Sequence, residues 1–471
     1  MRSTFFGLEI GYRGLVSHQK ALDITGHNVA NASTPGYSRQ RGEITATDPF
    51  TYPAFNKPHT AGQIGTGVEI TAVLRIRDQL IDNQIQYETM MSGYWEARRD
   101  ILDEAEMVLN EPADSNIRTS VDQFWQAFQN FSNDPSSIPA RSELRQKTLA
   151  MCAAIRDDYA RELSLRHEVN QRITDQVADI NRIGVQLAEL NDQIGKVTAM
   201  GDRPNDLMDK RDALIEELSK MVNINHFTDS LNRMTVTIKG VPLVEGLLAN
   251  QILAVPNWND PGMVQLEWKL PSGQPVEATS GRLKGWLEMR DEEIPLLLSR
   301  LNDFAGTLIT RVNALHQTGY GLDSSTGWNF FDGTGANDID LSNALKDETN
   351  GLVRIAGSDD IFGLPGNNKT ALAICELKHL KILTAGTATM GDFIGALIND
   401  LGEKSLIAGS KAEHQTVLIN NLDQRRESIC GVSMDEEMTN MVKFQHGYNA
   451  AAKIITTMDE MLDVVVNRLK V

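Results

Sequence analysis

Apolar residues recur at intervals of three and four along residues 5–29. Such spacing places side chains on one face of a helix. The stripe consists of Phe5, Leu8, Tyr12, Leu15, Leu22 and Val29. It stops at residues 31–36, where Pro35 removes a backbone donor and Gly36 permits a turn. We therefore predict an N-terminal amphipathic helix, then an extended arm and a short strand over residues 68–74.

A second stripe with the same spacing occupies the C-terminal end of the chain. From about residue 390 the pattern is helical to the terminus, with a break near Gly431. Its apolar positions are Met434, Met438, Met441, Tyr448, Ala452, Ile455, Met458, Leu462, Val465 and Leu469. A stripe this narrow is typical of a helix-bundle seam rather than the side of a globular core.

The centre of the chain alternates between helical and strand patterns. Residues 78–222 are mostly helical, and apolar residues between Val169 and Ile194 repeat as in a coiled-coil-like pair. Residues 234–238 alternate as a half-buried strand does, and 252–255 and 264–270 indicate further strands. Helical spacing returns over 282–315, and residues 319–366 are rich in Asp and Gly with weak strand signals.

These patterns predict a mainly α chain with a β insertion, folded as an elongated multidomain rod. A seam on one helix is buried only when it meets another helix, so we expect the N- and C-terminal helices to pair as a coiled coil. The predicted terminal domain combines residues 1–45 and 431–471. The helical bundle combines 46–222, 282–319 and 371–430, and the distal β-rich domain combines 223–281 and 320–370.

Composition narrows the possible partners and environment. The chain has 63 acidic and 45 basic residues and a formal net charge of −18, which argues against nucleic acid or an anionic membrane as a partner. Cys152, Cys375 and Cys430 are scattered, which favours small buried side chains over a disulfide scaffold. Charged residues interrupt the N-terminus, so we expect no cleaved secretory signal, and no stretch approaches the roughly 20 apolar residues of a membrane span, so we expect none.

The sequence contains no catalytic or nucleotide-binding motif that we could identify. The segment from Asp332 to Asp340 is rich in oxygen ligands, but it lacks the order of a calcium-binding loop and favours a plain turn. His18 and His27 are poorly spaced for a shared metal, which favours capping or surface hydrogen bonds. We therefore predict no enzyme activity, no metal and no cofactor.

One ordered motif carries a family resemblance. It reads Asn28-Val-Ala-Asn31, then Thr34-Pro-Gly-Tyr37, then Arg39-Gln40. This strongly resembles the N-terminal signature of bacterial flagellar axial proteins, the rod, hook and hook-associated subunits. The C-terminal apolar heptads match the second hallmark of that family. The stretches 313–320 and 433–451 are similar to those of the subunit that joins hook to filament.

The resemblance implies a structural adaptor that polymerises through its terminal helices. It implies export without signal cleavage through the flagellar type III channel, and a cytoplasmic chaperone that holds the C-terminal helix. The implied neighbours are further copies of the chain, the hook protein and hook-associated protein 3. The location would be outside the cell, at the hook–filament junction.

The predicted assembly interface combines both stripes with two signature residues. It consists of Phe5, Leu8, Tyr12, Leu15, Leu22, Asn28, Val29, Asn31, Met438, Met441, Tyr448, Ile455, Met458, Leu462, Val465 and Leu469. The methionines suit either a core or a surface that accepts several partners, and the resemblance favours the second. Arg39 and Arg41 are either solvated or paired with acidic neighbours in a lattice.

Three other interpretations compete. The chain could be a hook or rod protein, although those tend to lack a long central helical region. An enzyme with helical arms would need a cluster of catalytic polar residues in the β region. The polar residues there are only those typical of turns. A secreted coiled-coil adhesin would not require the signature at residues 28–40.

Overall fold

The computed structural model describes residues 5–49, 65–109 and 116–468. Its helices are α1 (Phe6–Ala30), α2 (Gln79–Leu109), α3 (Ile117–Asn133), α4 (Ile138–Ala199), α5 (Asn205–Met221), α6 (Gly281–Glu288), α7 (Ile294–His316), α8 (Asn343–Lys346), α9 (Lys369–Glu376), α10 (Met390–Cys430) and α11 (Met434–Asp463). π-helical turns at Met289–Glu293 and Val464–Arg468 join α6 to α7 and follow α11.

The strands are short and pair antiparallel. They are β1 (Gln40–Ala46), β2 (Val68–Arg75), β3 (Asn225–Thr228), β4 (Met234–Ile238), β5 (Val241–Glu245), β6 (Leu248–Ala249), β7 (Ile252–Pro256), β8 (Val264–Trp268), β9 (Gln274–Pro275), β10 (Phe331–Asp332) and β11 (Asp340–Leu341). The sheet orders are β1-β2, β3-β4-β5-β6, β7-β8-β9 and β10-β11. The prediction of a mainly α, elongated chain with a β insertion is confirmed.

Helix α4 is the longest of the described helices, and other elements pack along both of its halves. It has 62 residues, which corresponds to a length of about 93 Å. The side chain of Ser137 caps its start by accepting a hydrogen bond from the amide of Ala140. Along its second half, Asn191 holds strand β4 through both the amide and the carbonyl of Met234, at 2.8 and 2.7 Å.

The segment 320–370 packs at the other half of α4. Its regular strands are the two-residue β10 and β11, and the rest is mainly turns. Phe330 and Phe331 lie against Phe124 of α3, with ring centroids 6.3 and 5.9 Å away. The segment therefore shares the apolar core of the helices, whereas β3–β9 lie along the half of α4 that leads to α5. Our three-domain division stays a proposal.

A buried apolar cluster runs through α2–α10 and the strands between them. We call these elements the body. The remaining elements, α1, β1, β2 and α11, form what we call the terminal unit. Within the described residues, no helix is both long and apolar enough to cross a membrane.

His316 anchors the turn-rich segment to α7 from a fully buried position. The amide of Ala356 donates to its Nε2 at 2.9 Å, so Nδ1 carries the proton and donates to the carbonyl of Trp328 at 2.7 Å. Burial lowers the pKa of His316 from 6.5 to about 4. The neutral ring is therefore part of the folded structure.

This pKa predicts loss of stability in acid. The contribution of neutral His316 is present above pH 6.5. It is lost as the pH falls from 6.5 towards 4, because only the unfolded chain takes up the proton there. We expect the wild type to lose up to about 3 kcal/mol through this residue. Denaturant titrations at several pH values in that range would give the free energy of unfolding. We expect this free energy to depend less steeply on pH in His316→Asn than in the wild type. The exposed His379→Asn should follow the wild type, and equal slopes for His316→Asn and wild type would contradict the prediction.

Candidate assembly site at the paired termini

Helices α1 and α11 pack side by side through small residues of α1. A Cβ atom built on Gly11 would lie 3.0 Å from Cγ1 of Ile455, and one built on Gly14 would lie 3.5 Å from Cβ of Ala451. Glycine at these positions lets the two backbones approach closely. The face of α1 towards α11 follows the series Gly7, Gly11, Gly14, His18, Ala21, Thr25 and Asn28.

The predicted apolar stripe of α1 lies on the neighbouring face. Leu8, Leu15 and Leu22 each follow a seam residue by one position, and one position turns a helix by about 100°. Phe5 and Tyr12 are each 58% exposed. The other stripe residues, Leu8, Leu15, Leu22 and Val29, are half-buried. Most of this stripe therefore remains accessible beside the seam.

The predicted residues of α11 divide between the seam and the surface. Ile455 and Met458 lie against Gly11 and Gly7. Met441, Tyr448 and Leu462 are half-buried. Met438 and Val465 are 50% and 52% exposed, and Leu469 lies outside the described residues.

Asn28, the first residue of the signature, connects α1 to α11 and to the arm. It is 1% exposed. Its Nδ2 donates to the carbonyl of Gln40 at 2.9 Å and to Glu437 at 3.0 Å. Its Oδ1 accepts from the hydroxyl of Tyr37 at 2.8 Å and from the amide of Gln40 at 2.9 Å. The carboxamide thus fills its hydrogen-bonding capacity, and an asparagine suits this position for that reason.

Arg39 binds the first turn of α11. Its Nε donates to Glu437 at 2.8 Å and Nη1 donates to Glu436 at 2.6 Å. Burial lowers the pKa of Arg39, but its hydrogen bonds to both glutamates outweigh burial and raise the pKa overall. Acidic residues are also favourable at the positive end of the helix dipole. Of the two interpretations of Arg39, the structure shows pairing, and the partners belong to the same chain.

The turn after α1 places the rest of the signature. Asn31 ends the helix and donates from Nδ2 to the carbonyl of His27 at 3.0 Å. Gly36 has φ +78°, a conformation that favours glycine. Tyr37 then lies beside His27, 3.0 Å from its Nδ1. Burial raises the pKa of Tyr37, and so does the carboxylate of Asp206.

The following residues bind helix α5 of the body. Asp209 accepts hydrogen bonds from the amide and the hydroxyl of Ser38, at 3.0 and 2.7 Å. Gln40 donates to Asp206 at 2.7 Å and accepts from Asn205 at 3.1 Å. We call this network the polar joint. Its members are Asn28, Tyr37, Ser38, Arg39, Gln40, Asn205, Asp206, Asp209, Glu436 and Glu437.

The chemistry of the site is packing and hydrogen bonding. Among the described residues, no three histidine, cysteine or acidic side chains are grouped as a metal site. Sequence reasoning missed Asp209 and Glu437, which are far from the signature along the chain. A weak signal existed, since Asp206, Asp209 and Asp212 repeat at intervals of three on one side of α5.

A larger residue in the seam should separate the terminal helices. Gly11→Leu would place extra carbons against Ile455, which we expect to cost about 1–3 kcal/mol. Faster hydrogen exchange in α11 would report the loss of packing. Gly26→Leu is the matched control, because a Cβ atom there meets nothing within 4 Å. Equal exchange rates in the two variants would count against the close seam.

Removing the carboxamide of Asn28 should weaken the joint. Asn28→Ala leaves the buried carboxylate of Glu437 and the hydroxyl of Tyr37 each short of one partner, at a cost of about 1–3 kcal/mol or more. Asn31→Ala, outside the buried network, should cost less. Thermal unfolding of the two variants would compare them. A lower unfolding temperature for Asn31→Ala than for Asn28→Ala would contradict the central role of Asn28 in the polar joint.

Comparison with known proteins gives three family matches along the chain. The model described as the helical domain of the flagellar hook-associated protein FlgK matches residues 102–331. The model of the flagellar basal body rod FlgEFG C-terminal region matches 424–469, and that of the flagella basal body rod protein matches 8–37. The two rod matches cover most of the terminal unit, and the FlgK match covers much of the body.

Whole-chain relatives agree with these matches. Flagellar hook-associated protein 1 of Bacillus subtilis is 33% identical, over 100% of this chain and 99% of that protein. The protein of the same name from Salmonella typhimurium is 25% identical, over 96% and 98%. The solved structure of the flagellar hook junction protein FlgK from Burkholderia pseudomallei superposes with a TM-score of 0.63 at 15% identity, covering 74% of this chain and all of that one. The chain belongs to the family of flagellar hook-associated protein 1.

Proposed function

We propose that this chain is a structural subunit of the bacterial flagellum that joins the hook to the filament. The observation that carries the proposal is the family membership over the full length of the chain, at 33% identity to a hook-associated protein 1. The paired termini supply the physical means. They form a helix pair whose seam is filled within the chain and whose outer faces carry exposed apolar side chains.

The outer faces fit self-association. On α1, Phe5, Tyr12 and Val16 are between 43% and 58% exposed. On α11 and its π-helical turn, the exposed apolar residues are Met434, Met438, Val442, Ile454, Met461, Val464, Val465 and Val466. Met434, Met438 and Val442 are spaced by four and so lie on one side of α11, and exposed apolar residues grouped in this way are typical of a surface that another protein covers. In the polymer, neighbouring copies would cover it.

The same surface supports the finer partners that we propose. These are the hook protein on one side, hook-associated protein 3 on the other, and a cytoplasmic export chaperone that covers α11 before assembly. Methionine adapts its shape to different partners, which suits a helix that is covered twice by different proteins. We further propose that the chain leaves the cell through the flagellar type III channel and that the polymer lies outside the cell.

Gene deletion and complementation test the function. Cells without the gene should build hooks that carry no filament and should lose filament protein to the medium. Wild-type complementation should restore filaments. The double variant Tyr12→Ser, Met438→Ser should not, because it makes two outward apolar positions polar while leaving the seam intact. Electron microscopy of the cells would measure both outcomes.

A matched control separates assembly from folding. Phe227→Ser alters a residue that is 62% exposed on β3 of the body, so it should restore filaments as the wild type does. Filaments on the deletion strain would refute the junction role. Full complementation by the Tyr12→Ser, Met438→Ser variant would refute the proposed interface but leave the junction role standing.

A further inference from the structure

The loop between β7 and β8 presents a tryptophan side chain to solvent. Trp258 is 89% exposed, although tryptophan is highly buried on average in folded proteins. The loop that carries it, residues 257–262, is held by hydrogen bonds of its own. The amide of Asn257 donates to the carbonyl of Met263 at 2.8 Å, and the amide of Asn259 donates to the side chain of Asn257 at 3.0 Å. The indole therefore stands on an ordered turn.

The same loop is fixed to the body at the π-helical turn Met289–Glu293. Asp260 forms an ion pair with Arg166 of α4, whose side chain is 14% exposed. The Nε of Arg166 also donates to the carbonyl of Arg290 at 2.9 Å. Asp260 is the one charged residue of the loop sequence, so the pairing leaves the loop neutral. A side chain held in this way loses little conformational freedom when a partner covers it.

A cleft opens on another side of the same π-helical turn. It lies between the turn, α2, α7 and α10, and holds about 370 Å³ of space, open to solvent. Leu296, on its edge, is 44% exposed. Among the described residues that line the cleft, none belongs to the loop 257–262. Its apolar lining is supplied by Ala105, Leu296, Leu297, Leu397 and Leu401.

The rim of the cleft consists of charged side chains that pair among themselves. Lys404 lies 2.7 Å from Glu293 and 3.4 Å from Asp400. Arg300 lies 2.8 Å from Asp400. The cleft thus combines an apolar floor with carboxylate acceptors at its edge. An indole matches this combination, because its ring is apolar and its Nε1–H donates one hydrogen bond.

The exposed tryptophan and the cleft lie at one level of the body but on different sides. Both border the π-helical turn, the loop through Arg290 and the cleft through Met289 and Glu293. Every copy of the chain therefore supplies one projecting indole and one cleft. Complementary surfaces at different places on one chain form head-to-tail contacts, which repeat from copy to copy as a ring or a helix. The occupant that fits the cleft is a second copy.

We propose that Trp258 of one copy inserts into the cleft of the neighbouring copy, between α7 and α10. Tryptophan is the residue type that most often anchors a protein interface when it fills a pocket on the partner. The contact rests on the proposed function, since the junction is the assembly in which copies lie side by side. It involves the body alone and is separate from the exposed apolar faces of α1 and α11.

Cross-linking in the assembled junction tests the contact. The deletion strain would express two chains together, one with Asn259→Cys, next to the indole, and one with Leu296→Cys, in the cleft. Both positions are exposed. A short bis-maleimide applied to isolated hooks with filaments should give a covalent dimer, because the two positions meet across the contact. Each variant alone should give none, and neither should the wild type, which retains the native cysteines Cys152, Cys375 and Cys430.

Two further pairs show whether the tryptophan makes the contact. Adding Trp258→Ser to the Asn259→Cys chain should reduce the dimer several-fold. Replacing Leu296→Cys by Leu248→Cys is the matched control, since Leu248 is 77% exposed on β6, away from the cleft. That pair should give no dimer. An unchanged dimer yield with Trp258→Ser would overturn the proposal, and so would the absence of a dimer in cells that carry filaments. Filaments without a dimer would leave the junction role standing.

A charge placed in the cleft gives a second measurement that needs no cysteine. Leu296→Arg should block entry of the indole and leave several-fold fewer filaments per cell. Leu253→Arg is the control, because Leu253 is 39% exposed on β7 and lies outside the cleft. Far-UV circular dichroism of both purified chains would compare their helix content with that of the wild type. Filament numbers equal to those of the wild type in cells with Leu296→Arg would overturn the proposal.

Discussion

The buried carboxylate of Glu437 is the interaction on which the arrangement of the termini depends. It is 2% exposed and accepts hydrogen bonds from Asn28 of α1 and from Arg39 of the arm. An unpaired charge at that depth would be costly, so the three groups must come together or not at all. This requirement fixes where α11 begins relative to the end of α1. In that register, Gly7, Gly11 and Gly14 lie opposite Met458, Ile455 and Ala451.

The helices at both ends could be predicted because their periodicity is strong and their stops are explicit. The turn at residues 31–36 and the break near Gly431 both lie where the sequence pattern placed them. The seam itself was assigned to the wrong face of α1. Apolar spacing marks where large side chains lie, and glycine contributes nothing to such a pattern. Gly7, Gly11 and Gly14 have the same three-four spacing as the apolar stripe, and each lies one position before a stripe residue, Leu8, Tyr12 or Leu15.

The polar joint could not be predicted from its residues alone. Asn28 and Arg39 were recognised as members of a motif, but their partner Glu437 is about four hundred residues away. Asp209 likewise comes from a helix of the body. Polar side chains of this kind show no periodicity along the sequence, because each position depends on a hydrogen-bond partner elsewhere in the fold. The strands β3, β5, β6 and β9 were not predicted, and for β6 and β9 the reason is that two residues are too few to show an alternation.

The one-position offset between seam and stripe has a structural consequence. If the large apolar residues of α1 had filled the seam, pairing with α11 would have consumed them and left a polar outer surface. Because glycine and alanine fill the seam, α1 pairs within the chain and still presents Phe5 and Tyr12 outward. A subunit that must hold its own termini together and also bind neighbours needs both surfaces on one helix. Under the proposed function, the glycines matter less for flexibility than for leaving the large side chains of α1 available to neighbouring copies.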